Sequence, residues 1–285
     1  MKLIKGELFK NLADISISKK EHCEFEGEFT NKWVDIDKSN LTNLEYNTLV
    51  YANISLINRT KPIILESNFY NKLYNLKKPF SLILHNADQN FEDVHLKYFN
   101  IPNLNKIYAE NVNTKHKDLI PLPMGIANSM WHYGESEVFE KFINNNIAKS
   151  QLVYFWFTVE GGAREEARPY CYNTLRNKGF KLNTPRRFED YIEELSSYKY
   201  CISPPGNTLD CYRMWECLYL KVVPICIRNP LTEYYSKIFP IFIVDKWEDL
   251  TIDLLEKEYK NYQNWENYHL LDFDNYVKKF INEVN

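Results

Sequence analysis

Short apolar runs recur along this chain between longer stretches of mixed polarity, a pattern that predicts buried strands separated by helices. In the first half the runs cover residues 80–84, 106–110 and 119–124. The second half repeats the pattern, with runs at residues 152–159, 180–182, 200–202, 222–227 and 238–244. Strands that alternate with helices form parallel sheets covered by those helices. The sequence therefore predicts an α/β protein with a parallel sheet in each half.

Helical periodicity is clearest at residues 209–221, which contain neither glycine nor proline. Four residues there follow the i, i+3, i+4, i+7 spacing of one apolar helix face: Cys211, Met214, Trp215 and Leu218. Further helices are predicted at residues 135–148, 188–197 and 251–285, whereas residues 49–57 fit either a strand or a short helix. Because three asparagines at 144–146 indicate a linker, we predict two domains, residues 1–147 and 148–285.

The turn before the helix at 209–221 is a candidate anion site. Pro204, Pro205, Gly206 and Asn207 favour a tight turn at the end of a strand, and a helix N-terminus at a sheet edge attracts anions. Asp210, Arg213 and Glu216 lie three apart on a second helix face. An arginine there can hold a phosphate bidentately, and a glutamate one turn on can accept hydrogen bonds from two ribose hydroxyls. The alternative is an ordinary i, i+3 ion pair on a solvated surface.

Arginine is concentrated in one part of the chain. Six of the 8 arginines fall between residues 164 and 213, although lysine is the commoner base with 27 residues. A glycine-containing turn at 160–163 leads into a predicted helix on which Arg164 and Arg168 lie at i, i+4 on one face, a second candidate anion site. Arginines chosen over lysines indicate oxyanion binding. The alternative is a solvated helix on which Glu165 and Glu166 pair with them.

Polar residues also follow the strand predicted at 80–84. His85, Asn86, Ala87 and Asp88 come directly after it, where open parallel sheets place their ligands. Asp88 is the candidate general base, and His85 is its competitor because imidazole titrates near neutral pH. The alternative is an ordinary loop in which Asp88 caps the next segment.

Composition narrows the range of functions. The net charge of −3 disfavours nucleic-acid binding. The 6 cysteines lack zinc or disulfide spacing and mostly sit in apolar runs, which predicts buried thiols in a reducing compartment. No apolar run approaches the length of a membrane span, and residues 1–16 contain no apolar core of a signal peptide. Acidic Asp-x-Asp patterns at 35–37 and 272–274 are alternative metal sites, although such short patterns are common.

Residues 203–224 resemble the C-terminal signature of the exostosin-like glycosyltransferases, glycosyltransferase family 47 and its relatives in bacteria and large DNA viruses. The shared pattern is S-P-x-G-x-x-x-D-x-x-R-x-W-E-x-L, followed by a proline that is Pro224 here. Lys221 stands where the family usually has the glycine that ends the helix. A second match, P-x-G-I-A-x-x-x-W-x-x-G, runs through Trp131 and Gly134. Because an H-N-x-D match also begins at His85, the resemblance covers about residues 80–250.

The resemblance implies a GT-B fold, in which two Rossmann-like domains face a cleft and the last helix crosses back to the first domain. It implies an inverting, metal-independent transfer of sugar from a UDP-sugar, bound by the C-terminal domain, with a base from the N-terminal domain. The residues expected to bind the donor are Arg164, Arg168, Thr184, Arg187, Ser203, Gly206, Asn207, Asp210, Arg213 and Glu216. The expected base is Asp88 or His85.

Several alternatives stay open at this level. Xylose is the first candidate for the sugar, ahead of glucuronate, galactose and N-acetylglucosamine, and the acceptor is a glycan or glycoprotein hydroxyl. The protein is expected to be cytoplasmic, since it lacks the N-terminal anchor of many relatives. A binding module that has lost its base, or a metal-dependent GT-A transferase using an Asp-x-Asp site, are the competing hypotheses.

Overall fold

The computed structural model describes residues 1–18, 32–35, 47–57, 63–143, 145, 147–160, 164 and 166–281. It contains two β-sheets, and all neighbouring strands in both sheets run parallel. The predicted α/β class is therefore confirmed. In the described part of the chain, no helix combines the length and apolar character needed to cross a membrane.

The first of two compact units spans Lys5–Met124. Its sheet has the order β2-β1-β3-β4-β5-β6. The strands are β1 Ile15–Ser18, β2 Lys32–Asp35, β3 Thr48–Asn53, β4 Phe80–His85, β5 Leu104–Ala109 and β6 Leu119–Pro121. The α-helices are α1 Gly6–Lys10 and α2 Ile63–Tyr74, and 3-10 helices cover Ile54–Ile57 and Asp93–Asn100. The order reverses between β1 and β3, a point where open sheets of this kind bind ligands beyond the strand ends.

The ambiguous segment at 49–57 contains both predicted structures. Strand β3 ends at Asn53, and a 3-10 helix follows directly at Ile54–Ile57. Asn53 stabilises the transition from strand to 3-10 helix, because its side-chain oxygen accepts the Ser55 N–H (3.0 Å). A continuous apolar run can therefore serve a strand and a helical turn in succession.

The second unit comprises Met1–Ile4 and Gly125–Asn285. Its sheet has the order β10-β9-β8-β7. The strands are β7 Gln151–Tyr154, β8 Tyr198–Ile202, β9 Val223–Ile227 and β10 Phe242–Val244. The α-helices are α3 Ser136–Ile143, α4 Ala167–Asn177, α5 Phe188–Ser196, α6 Tyr212–Tyr219, α7 Pro230–Tyr235, α8 Ile252–Glu258 and α9 Phe273–Phe280. Short 3-10 helices lie at His132–Gly134, Trp247–Asp249, Tyr259–Tyr262 and Glu266–Leu271.

The core of this unit lies between the sheet and its helices. Phe155, Leu175, Tyr200, Ile225 and Trp247 belong to one buried apolar cluster. Among the described cysteines, Cys171, Cys201, Cys217 and Cys226 are free and buried, as the sequence predicts.

Four predicted strands are corrected. The strands predicted at 119–124 and 152–159 end early, at Pro121 and Tyr154. Residues 180–182 form no strand, because Phe180 N–H bonds to Leu175 O at the end of α4 (3.0 Å), and only Asn183 then pairs with Phe155. The strand predicted at 238–244 begins only at Phe242. Before it, the N–H groups of Ile238 and Phe239 both bond to Tyr235 O.

The division between the units comes earlier in the chain than the predicted boundary after residue 147. Helix α3 belongs to the second unit, where Phe139 packs against Phe188 and Tyr219. Residues 1–4 join the same unit, since Ile126 N–H bonds to Ile4 O (2.9 Å). Gly125 permits this contact, because a Cβ there would lie 2.1 Å from Ile4 O.

Candidate functional site

The loop after β8 is longer than the sequence predicts. Helix α6 begins at Tyr212 rather than near residue 209, and residues 203–211 form a loop folded on itself. Gly206 N–H bonds to Thr208 O (3.1 Å), and Thr208 Oγ1 donates to Asp210 O. The Gly206 amide is therefore already bonded, which corrects the expectation that it binds a diphosphate directly.

Asp210 and Ser203 hold this loop in place rather than presenting groups to a ligand. Asp210 is 1% exposed, and its Oδ2 accepts the indole N–H of Trp215 (2.9 Å). Ser203 N–H bonds to Ile225 O (2.9 Å), which prolongs the pairing of β8 with β9. Both were expected to bind the donor; both are buried structural residues, because the loop needs internal partners for its polar groups.

Arg213 and Glu216 do not lie on a solvated surface. Glu216 is 6% exposed, and its Oε2 accepts the hydroxyl of Tyr191 on α5 (2.8 Å). The half-buried Arg213 places its guanidinium 5.3 Å from the centre of the Tyr191 ring and donates from Nη1 to Trp156 O. Tyr191 thus contacts both residues, and the alternative of a surface ion pair is wrong.

Burial governs the electrostatics of this group. Desolvation raises the pKa of Glu216, and nearby Arg213 and the Tyr191 hydroxyl partly oppose that rise. Burying a carboxylate costs free energy unless hydrogen bonds or an opposite charge compensate it. Buried titratable groups with a charged partner are concentrated at functional sites. These residues therefore form a candidate binding site rather than ordinary surface.

Arg168 lies against Gly206. A Cβ on Gly206 would be 2.8 Å from Arg168 Nη2, so the absence of a side chain there makes room for the guanidinium. Arg168 also donates from Nη1 to Thr158 O (3.1 Å). Within the described residues its Nε is buried without a hydrogen-bond partner. An oxyanion is the natural partner for such a donor.

Arg168 and Arg213 are anchored to the same segment. Their carbonyl partners, Thr158 and Trp156, are two residues apart in the segment that follows β7. Burial raises the pKa of Cys211 to about 11, and the nearby charges of Arg213 and Arg168 partly oppose this rise. The two arginines therefore converge beside the loop that follows β8, at the carboxyl ends of two neighbouring parallel strands.

Arg164 does not share a helix with Arg168. Helix α4 begins at Ala167, so the predicted i, i+4 pair on one helix face is wrong. Residues 161–163 and Glu165, which carry the predicted glycine turn and part of the alternative pairing, lie outside the described residues.

Thr184, Arg187 and Asn207 are exposed. Arg187 Nε pairs with Asp190 Oδ2 (3.3 Å) on the first turn of α5. Neighbouring Arg186 pairs with Glu194 (3.2 Å). Both arginines thus pair with carboxylates of α5. The assignment of Thr184, Arg187 and Asn207 to the donor stays a prediction.

His85 and Asp88 differ sharply in environment. His85 is 1% exposed and stacks on Phe9 (4.8 Å between centroids). Its Nε2 lies 3.1 Å from Pro123 O, and Nδ1 accepts the Asn86 N–H (2.8 Å) and lies 3.0 Å from Glu110 Oε2. Burial lowers the pKa of His85 to about 4, partly offset by the Pro123 carbonyl. His85 is therefore a structural residue, which corrects its candidacy as a base.

Asp88 is exposed at the carboxyl end of β4. Its backbone carbonyl accepts the Asn111 side chain (3.1 Å), which fixes the loop. Asn86 at the same turn has a left-handed φ of 69°. The geometry leaves Asp88 as the candidate base of this loop.

The described residues give the predicted metal sites no support. Asp272 accepts the Asn275 N–H (3.2 Å) as the N-cap of α9, and Asp274 pairs with Lys2 (3.1 Å). Of the other pattern, positions 36 and 37 lie outside the described residues. His132, Glu135 and Glu189 come close enough to hold an ion, but Glu135 faces Nδ1 (3.2 Å) and Glu189 faces Nε2 (3.7 Å). Each ring nitrogen of His132 thus faces one of the two carboxylates.

Sequence reasoning missed Tyr191 and the carbonyls of Trp156 and Thr158. Tyr191 lies on the apolar side of α5 and resembles a core residue in the sequence. Backbone carbonyls have no sequence signal. Tertiary packing alone identifies these partners.

No family model matches the chain, and no curated protein matches it.

Proposed function

We propose that this protein is an inverting glycosyltransferase of the exostosin-like type, with GT-B architecture. It transfers a sugar from a UDP-sugar to a hydroxyl of a glycan or glycoprotein, and xylose is the first candidate. Two units with parallel sheets and a cationic cluster at the strand ends of the second unit support the proposal. The resemblance of residues 203–224 to the family signature supplies the specific chemistry.

The observation that carries the proposal is the convergence of Arg168 and Arg213 beside the loop that follows β8. Both guanidiniums are held by carbonyls that follow β7, so their positions are fixed before a ligand arrives. Fixed donors stabilise developing negative charge more than mobile ones, because little reorganisation accompanies the reaction. In the proposed role the two arginines bind the diphosphate, and Glu216 accepts hydrogen bonds from the ribose.

The chemical step is a single displacement. The acceptor oxygen attacks the anomeric carbon while the bond from that carbon to the diphosphate oxygen breaks. The electron pair leaves with UDP, where the arginines neutralise it, and the acceptor proton passes to Asp88. Two guanidiniums provide the charge that a divalent cation supplies elsewhere, so we propose that no metal is required.

The proposal is tested by incubating the protein with a panel of UDP-sugars and glycan acceptors in EDTA. Release of UDP together with a glycosylated product is expected. A strict requirement for Mn²⁺ would favour a GT-A mechanism. UDP binding without turnover on any acceptor would favour a non-catalytic sugar- or nucleotide-binding module.

Asp88→Asn tests the base. The substitution preserves shape and removes the proton acceptor, and general-base catalysis typically contributes about 10²–10⁴-fold to the rate. We expect kcat to fall on that scale, with the affinity for UDP unchanged within about threefold. Asp118→Asn, on another loop of the same unit, is the control and should retain activity. Full turnover by Asp88→Asn would move the base elsewhere.

A further inference from the structure

Two large aromatic side chains are exposed side by side near the candidate donor site. Trp131 is 44% exposed and Tyr133 is 39% exposed. Their rings are parallel to within 7°, with centroids 6.0 Å apart. Adjacent exposed rings offer a flat apolar surface with polar edges, the kind of surface that aromatic side chains provide at binding sites.

The backbone that presents these rings is held by its own hydrogen bonds. Gly134 N–H bonds to Trp131 O (2.8 Å), and Trp131 N–H bonds to Asn128 O (3.0 Å). A Cβ on Gly134 would lie 2.3 Å from Asn128 O and 2.6 Å from Ala127 O. The loop therefore closes on itself, and the aromatic pair is positioned without help from a ligand.

Side-chain packing connects the pair to the first turn of α6, which carries Arg213. The Tyr133 ring contacts Phe188 (6.4 Å between centroids) and Tyr212 (6.3 Å). Tyr212 is the first residue of α6 and directly precedes Arg213. All these residues belong to the second unit.

Hydrogen-bonding groups stand beside the rings. His132, between the two aromatics in the chain, has Glu135 on one ring nitrogen and Glu189 near the other. All three are at least two-fifths exposed. Carboxylates accept hydrogen bonds from hydroxyl groups, and their negative charge disfavours a nucleic-acid phosphate.

We propose that Trp131 and Tyr133 form an acceptor subsite that binds the pyranose ring of a β-linked glycan. The C–H groups on the flat face of such a ring are weakly positive and complement the negative face of an aromatic ring. Its equatorial hydroxyls project from the rim, where Glu135 and Glu189 accept hydrogen bonds. The prediction that this surface binds sugar depends on the surface alone. The role of the surface as the acceptor subsite rests on the proposed function.

The test measures binding of xylohexaose and cellohexaose to the full chain by saturation-transfer NMR, with α-linked maltohexaose for comparison. We expect a β-linked hexasaccharide to bind. Trp131→Ala and Tyr133→Ala should each weaken that binding by about two- to tenfold, the range typical of one aromatic contact. Trp131→Phe should retain most of it. Tyr170→Ala, which removes a similarly exposed ring (42%) in the same unit, should have no effect.

Calorimetry with UDP on the same variants separates this inference from the proposed function. Sugar binding that depends on Trp131 while the protein fails to bind UDP supports the subsite and contradicts the transferase. UDP binding without binding of either β-linked hexasaccharide overturns the subsite and leaves the transferase standing. Loss of UDP affinity in Trp131→Ala with unchanged sugar binding would assign the ring to the nucleotide, and would also overturn the inference.

Discussion

Because Gly206 has no side chain, the guanidinium of Arg168, a candidate donor-binding residue, has room beside it. Gly206 has no need of glycine's backbone freedom, since its φ is not among the positive values in the described chain. Its role is steric, because a Cβ would lie 2.8 Å from Arg168 Nη2. Gly206→Ala should therefore displace the guanidinium and weaken UDP binding several-fold, with little change in the melting temperature.

A double-mutant cycle checks whether Gly206 acts through Arg168. If it does, Gly206→Ala combined with Arg168→Ala should bind UDP no more weakly than Arg168→Ala alone, because coupled residues are not additive. Calorimetry on the four proteins measures the coupling. Additive losses would show that Gly206 contributes by another route.

His85 predicts a specific dependence of stability on pH. Its pKa is lowered to about 4 in the folded protein, against an ordinary value of about 6.5. Between these values the unfolded chain binds a proton that the folded chain does not, so stability falls as the pH drops from 6.5 to 4. At about 1.4 kcal/mol per unit of pKa difference, the loss amounts to roughly 3 kcal/mol.

Urea unfolding at pH 7 and pH 4.5 measures this effect. His85→Gln should flatten the difference between the two pH values, whereas His116→Gln, at a partly exposed ring stacked on Phe99, should not. In NMR spectra of the wild type, one imidazole should stay neutral to about pH 5. Ordinary titration by all six histidines would contradict the environment described for His85.

At the scale of elements, the end of α6 explains how Lys221 fits a position where the exostosin-like signature usually has glycine. Lys221 N–H bonds to Leu218 O (3.1 Å) and Val222 N–H bonds to Cys217 O (2.9 Å), the pair of bonds that defines a Schellman motif. The backbone of Lys221 lies in the left-handed region, with φ 53°. The expected C-cap position is therefore confirmed, and lysine adopts a conformation that glycine prefers.

Lys221→Gly should raise the free energy of unfolding by about 1 kcal/mol, the typical strain of a left-handed residue with a Cβ. The gain is reduced by loss of the Lys221 ammonium from above the Tyr268 ring (4.8 Å). Lys221→Ala is the control, since it loses the ammonium and keeps the Cβ. Chemical denaturation that ranks alanine at or above glycine would contradict the assignment.

The local elements were largely predictable from the sequence, and the tertiary roles of the motif residues were not. Periodicity located helix α5 to within one residue, because an amphipathic pattern continues to its end. The sequence places the start of α6 too early, because residues 209–211 contain neither glycine nor proline and yet lie in the loop, where the Asp210 carboxylate accepts the Trp215 indole N–H. The same bond converts Asp210 from an expected ligand contact into a structural one.

At the scale of the whole molecule, alternation of strands and helices predicted two parallel sheets. The position of the division was harder to predict, since α3 packs on Phe188 and Tyr219, far along the chain. Residues 1–4 likewise join a unit that begins again at residue 125. Long-range packing of this kind has no local sequence signal.

Calorimetric titration of UDP into the protein in EDTA tests the central claim most directly. Losing a buried charge-assisted contact costs about 2–5 kcal/mol, so Arg213→Ala should weaken UDP binding at least tenfold. Arg213→Lys should weaken it too, because lysine lacks the planar fork, and circular dichroism verifies that both variants fold. Arg228→Ala, which removes a half-exposed arginine paired with Asp245 in the same unit, should bind UDP like the wild type. The account predicts this ranking; no heat of UDP binding to the wild type, or equal affinities for Arg213→Ala and Arg228→Ala, would contradict it.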